Sequence, residues 1–241
     1  MVSGKQRIVI SLINKRKEAV MKKVLFLVVP LLLCAIGIAQ AGEAKFLQLS
    51  VFNPIQMVPE DESIEGIRLD LFYTLNRNVT GFSLSLFGVN AATGDVKGVE
   101  WGLGNWAEGF FHGWQSGIFN FTRGRFVGLQ SGTINITEGD LTGVQWGLVN
   151  WLEGYLHGAQ LGAVNISKSE CIGANLGIVN YAEGSFRGFQ GGIVNSAGEM
   201  HGLQLGLVNY TKSLDGLQIG LANYNGNKKP LEFMIFVNWS F

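Results

Sequence analysis

Charge is scarce along most of this chain. Residues 98–225 hold only 14 Asp, Glu, Lys and Arg among 128, roughly half of the ~25% usual in a soluble domain. Such a segment cannot cover a large water-facing surface with charge. Basic and acidic residues balance at 18 each, so no basic field invites nucleic acid. Cysteine is almost missing. Cys34 sits in an apolar N-terminal run, and a lone Cys171 makes neither an internal disulfide nor a metal-ligand spacing. Four prolines exclude a collagen-like or Pro-rich chain.

Recognisable chemistry is equally thin. No G-x-x-x-x-G-K-[ST] phosphate loop occurs. His112, His157 and His201 fill a repeat position that also takes Thr142, Arg187 and Lys97, which reads as interchangeable polar residues. His112, Ser116 and Asn120 span too much of one strand to meet as a catalytic set. Glu60, Asp61, Glu62 and Glu65 form a small acidic cluster that reads as solvated. The expectation is no enzyme, no cofactor and no metal site.

Glycine, by contrast, is abundant, at 34 residues, and it is periodic. A unit Gly-x-Gln-x-Gly-x-x-Asn begins at Gly98, Gly113, Gly128, Gly143, Gly158, Gly173 and Gly188, then at Gly202 and Gly216 after two spacings of fourteen. Its closing asparagine recurs from Asn105 to Asn223. An array this regular specifies architecture before chemistry.

Ahead of the array lies an export signal. Met21-Lys22-Lys23 precedes an uncharged apolar run over residues 24–39, and Ala39-Gln40-Ala41 supplies small residues for cleavage. Basic start, apolar centre and A-x-A ending describe a secretory signal peptide over 21–41. Residues 1–20 are then an upstream extension or a mis-assigned start, and 42–241 the mature chain, with regular repeats over 98–223.

Each unit reads as a strand. Between Glu-Gly pairs such as Glu138-Gly139 and Glu153-Gly154, which like Glu108-Gly109 mark the fifteen-residue period, lies a strand of about eleven residues rich in Val, Ile, Leu and aromatics, and glycine suits a hairpin turn. A period of two puts Leu141, Gly143, Gln145, Gly147, Val149 and Trp151 on one nearly fixed face. The other face carries apolar residues of freely varying size, such as Trp114, Ser116 and Ile118 against Leu203, Leu205 and Leu207. A packed core resists volume changes and fluid lipid does not, so the variable face is expected toward lipid. The Gln positions are expected to line a lumen: Glu100, Gln115, Gln130, Gln145, Gln160, Asn175, Gln190, Gln204 and Gln218. The six tryptophans read as an interfacial belt.

These readings predict an all-β, antiparallel meander closed into a transmembrane barrel of about twelve strands, porin-like, passing small polar solutes. The alternating Phe233, Ile235, Val237, Trp239 and Phe241 resemble the C-terminal assembly signal of Gram-negative outer-membrane barrels. That resemblance implies an outer-membrane location, contact with outer-membrane lipid and handling by the barrel-assembly machinery. Aligning Asn238 with the repeat Asn places this apolar set on the Gln face, a conflict within the barrel reading. The motif, as in Gly143-Val-Gln-Trp-Gly-Leu-Val-Asn150, together with Phe52-Asn53-Pro54-Ile55-Gln56, is also similar to a family of bacterial surface-repeat proteins, which implies location but no activity. The alternative fold is a β-solenoid with one fifteen-residue coil per repeat, in which identical amides stack in columns, with an adhesive or structural role at the surface.

Overall fold

The computed structural model describes residues 44–241. The expected signal segment over 21–41 and the preceding residues lie outside them. The repeats form a stack of parallel coils, not a meander. Leu141–Leu152 pairs in parallel with Phe126–Thr137 on one side and Leu156–Ser167 on the other. Like residues stack: Gly143 on Gly128 and Gly158, Gln145 on Gln130 and Gln160, Asn150 on Asn135 and Asn165. The chain advances by one strand spacing per repeat, about 4.8 Å, through about twelve turns. The barrel is therefore overturned in favour of the solenoid, and with it the porin-like pore: the coil interior is packed with side chains and encloses no aqueous lumen among the described residues.

Three local facts explain the difference. First, the alternation of faces does not run through the repeat. Leu141 and Gln145 point inward, the chain bends at Gly147-Leu148, and the inward set resumes at Asn150 and Leu152. The odd step at this corner moves Val149 and Trp151 outward and turns Asn150 in, so a strict period of two assigns the second half of each repeat to the wrong side. Second, the Glu-Gly pairs are corners that continue the coil, not reversals. Third, positive φ belongs to the first glycine of the motif, as at Gly143 (φ 136°). A Cβ there would collide with the Gly128 carbonyl oxygen, so this column admits only glycine. Two upstream coils share it through Gly66 and Gly81 (φ 153° and 127°).

Variation in repeat length is confined to corners. The fourteen-residue coils lose one residue at the Glu-Gly corner, where the pairing steps from Ala182↔Ala197 to Ser185↔Glu199. The core is thin and continuous. A column of buried apolar residues, including Ile64, Val79, Val96, Phe111, Phe126, Leu141, Leu156, Cys171, Phe186, Met200 and Leu214, runs the length of the stack. Phe111 and Phe126 stack with centroids 4.9 Å apart.

Both ends of the stack depart from the repeat. The strand Ala44–Phe52 is the first parallel layer against Ser63–Asn76. The following loop folds back over it, with Gln48 donating to the Val58 carbonyl and accepting from the Val58 N–H. At the other end Phe233–Ser240 pairs antiparallel with Val208–Asn225 and sets Asn238 opposite Gln218. The register conflict noted above dissolves, because the last strand runs the other way and does not continue the repeat.

Candidate functional site: buried amide ladders and a two-sided exterior

Two columns of amides run through the interior. The asparagines form one: each Nδ2 donates to the Oδ1 of the next, from Asn90 to Asn105 at 2.9 Å and on through Asn150 to Asn165 at 2.8 Å, ending on Asn223. The second N–H of each amide goes to a corner carbonyl of the next coil, as from Asn150 to Leu161 O at 3.1 Å. Asparagine is thus the residue that closes the Gly147 corner and its counterparts, where an unpaired buried carbonyl would cost about 1–3 kcal/mol.

The glutamines form the other column, with donation in the opposite direction along the stack. Gln130 donates to Gln115, Gln145 to Gln130 and Gln160 to Gln145, at 2.8–2.9 Å. The polarity is forced. Gln115 donates to Glu100 at 3.4 Å, and an ionised carboxylate only accepts, so the unbroken run of amides from Gln115 to Asn175 donates toward it. All nine Gln-column residues expected from sequence point inward and are fully buried. They face a packed interior and one another, not a lumen.

The column is interrupted once. Asn175 donates to Gln160 at 3.1 Å, but its shorter side chain leaves its own oxygen unpaired. Gln190 turns instead to the Ser196 carbonyl, and the ladder restarts with Gln204 donating to Gln190 at 2.7 Å.

At its lower end the column becomes ionic. Arg68, Ser83 and Glu100 occupy successive rungs. Arg68 donates from Nε to Ser83 Oγ at 3.0 Å, from Nη1 to the Ala91 carbonyl at 2.8 Å and from Nη2 to Glu100 Oε1 at 2.7 Å. Ser83 is small enough for the guanidinium to pass. Burial lowers the Arg68 pKa against the pull of Glu100 and Asp70, yet a guanidinium keeps its charge in practice. Burial also pushes Glu100 up to about 7 against Arg68 and Gln115, and Asp70 up to about 6 against the Ser85 hydrogen bond. Sequence reasoning found Glu100 as an exception to the Gln column and missed its partner. The available signal was Arg68 and Ser83 at matching distances from Gly66 and Gly81.

None of these buried groups is open to a substrate. Among the described residues no cluster of His, Cys, Asp and Glu is placed to hold a metal. The three histidines point outward, and His201 lies 3.2 Å from Asp215.

The exterior is divided. One corner carries the charge: Arg123 pairs with Glu108 and Glu138, and Lys168 pairs with Glu183. Beside it opens a groove of about 490 Å³ lined by Tyr155, Glu170, Glu183 and Lys212. Exposed ion pairs of this kind contribute about 0–1 kcal/mol each. The opposite corner is apolar. Trp101, Leu103, Ile118, Trp146, Leu148, Ile178, Leu207 and Leu221 are all exposed there, and Trp101 and Trp146 wall a shallow groove of about 600 Å³ floored by Gly117, Ser131 and Gly132. These are the residues of freely varying size. They vary because they point away from the packed coil, where no neighbour fixes their volume. The C-terminal residues Phe233, Ile235, Val237 and Trp239 are exposed on the antiparallel end strand, and Phe241 is exposed just beyond it.

No family model matches the chain. No curated protein and no solved structure matches it either.

Proposed function

We propose that the chain is an exported, non-enzymatic β-solenoid displayed at the surface of a Gram-negative-type cell, with a structural or adhesive role. One observation carries the reading. The polar side chains that repeat most faithfully, the Gln and Asn columns, are fully buried and paired with one another, so the repeated chemistry builds a stiff rod and leaves only the variable exterior for contact. The secretory pattern over 21–41 and the similarity to bacterial surface-repeat proteins support the location. Deletion of the gene segment encoding 98–223, compared with the intact chain, tests the role by cell adhesion and envelope integrity. Protease treatment of whole cells tests the location: release of fragments cut at the charged corner is expected, and full protection in intact cells with cleavage only after lysis contradicts surface display.

A further inference from the structure

We infer that the apolar corner is a lipid-docking edge, along which the solenoid lies lengthwise on a bilayer without crossing it. From Leu86 to Leu221 the outward positions of this corner contain no Asp, Glu, Lys or Arg in any coil. A row so long and uncharged matches hydrocarbon, which excludes unpaired charge. From Phe72 to Phe236 the row spans eleven steps of about 4.8 Å and about three residues to either side. That makes an apolar surface on the order of 1,000 Å², beyond the ~300–600 Å² of the largest patch on a usual monomer.

The layers next to the edge are graded as at a membrane interface. A row containing Trp106, Trp151, Tyr181, Tyr210 and Tyr224 runs along one flank, and the ion-paired charges come only beyond it. Lys168 stands over the Trp151 and Tyr181 rings at 5.5 and 5.7 Å. Trp and Tyr favour that depth, and ~10 Å of strand between corner and aromatic row fits the ~5–10 Å immersion of interfacial elements.

Roughness decides between lipid and a second copy. Along one column the edge reads Trp101, Ser116, Ser131, Trp146, Leu161 and Leu176, so a two-coil pit at the serines lies between tryptophan ridges. A protein partner would have to complement each one, whereas acyl chains conform to any. The end strand adds independent evidence. Phe236, opposite Gly220, is the single non-glycine residue at positive φ among those described (69°), and its ring is 66% exposed at the same corner. A bulky residue in the left-handed region is strained, and here the strained backbone holds a phenyl ring on the apolar edge.

Lipid docking uses the outer edge of the rod and does not depend on export or adhesion, so the two readings fail separately. The test uses the full chain carrying Cys34→Ser, with a single fluorophore at Leu148→Cys or at Glu138→Cys, both outward positions. The chains are mixed with phosphatidylcholine vesicles containing nitroxide-labelled lipid, in high salt. Several-fold stronger quenching at 148 than at 138 is expected. The substitutions Ile178→Asp and Leu207→Asp, two and four coils along the same edge and made together, should abolish it while circular dichroism retains the β signal. Equal quenching at both sites, none at either, or quenching at 148 that survives the two aspartates overturns the proposal. So does a label at 148 already shielded from aqueous iodide without vesicles in a chain that sediments as a dimer, which would assign the edge to self-association.

Discussion

Arg68 reaches past one whole coil to Glu100, closing at 2.7 Å with both side chains fully buried. Ser83 occupies the rung between them. The three residues together replace three amides of the column, so they form a single unit. Arg68→Gln leaves the buried Glu100 carboxylate without its counter-charge and is expected to destabilise by about 3–5 kcal/mol at pH 8. Combining Arg68→Gln, Ser83→Gln and Glu100→Gln restores a uniform amide column and should recover most of that loss. Urea unfolding of the two variants checks the contrast. Equal stability of the single and triple variants would remove the ion pair from the account.

The same pair sets an unusual pH dependence. Folding raises Glu100 from 4.5 to about 7 and Asp70 from 3.8 to about 6, in both cases chiefly by burial. The native chain therefore holds protons that the unfolded chain releases between these values. Stability from these groups is fully present below about pH 4 and is lost as pH rises through 6 to 7. The thermal midpoint should rise from pH 8 to pH 5, and Glu100→Gln should flatten that rise. A midpoint that falls on acidification over this range, with the same slope in the variant, would contradict the assignment.

Gly143→Ala tests the closest backbone approach in the coil. The added Cβ runs into the Gly128 carbonyl oxygen, and the residue must keep φ 136°. Strain and clash together are expected to cost at least about 3 kcal/mol. A loss below about 1 kcal/mol, the typical effect of any point substitution, would show that the coils are not stacked this tightly.

Asn175→Gln should repair the break in the glutamine column. The longer side chain can accept from Gln190 while still donating to Gln160, satisfying an oxygen now unpaired. A gain of about 1 kcal/mol is expected, read as a shift in the urea midpoint at constant slope. A loss would mean that the interior at this coil has no room for the extra methylene.

Cys171 lies between Leu156 and Phe186 in the apolar column, and burial pushes its thiol up to about 11. In a Cys34→Ser chain it should resist thiol reagents until the coil unfolds, so modification should track the denaturant midpoint. Prompt labelling of the native chain would contradict its placement.

Much of this architecture is readable in the sequence. The period, the Gly column and the two amide columns are there, as is the inward direction of Gln145 and its equivalents. The parallel arrangement is readable too. In an antiparallel meander, neighbouring copies run in opposite directions and most like positions do not meet, so nothing would hold Gln and Asn fixed coil after coil. In-register parallel stacking supplies the reason, because each amide bonds its own copy. What hides it is the corner at Gly147-Leu148, where one unpaired step reverses the faces and turns Asn150 inward. The free size of Trp146 and Leu148 and their equivalents reflects an unpacked exterior, which sequence alone does not separate from the outside of a barrel. The Arg68–Glu100 contact is hidden because it skips a rung and crosses a seventeen-residue spacing between Gly81 and Gly98.

The central claim is that each repeat advances the chain by one strand spacing in a constant direction. Pulsed electron–electron spin resonance on labels placed in one outward column tests it directly, with Arg187 paired in turn with Thr142, Val127, His112 and Lys97. These positions stack in register, three, four, five and six coils apart. The solenoid predicts distances growing linearly by about 4.8 Å per coil, from about 14 to about 29 Å. Distances that alternate between long for odd and short for even separations, as strands reversing direction at each repeat require, would contradict it.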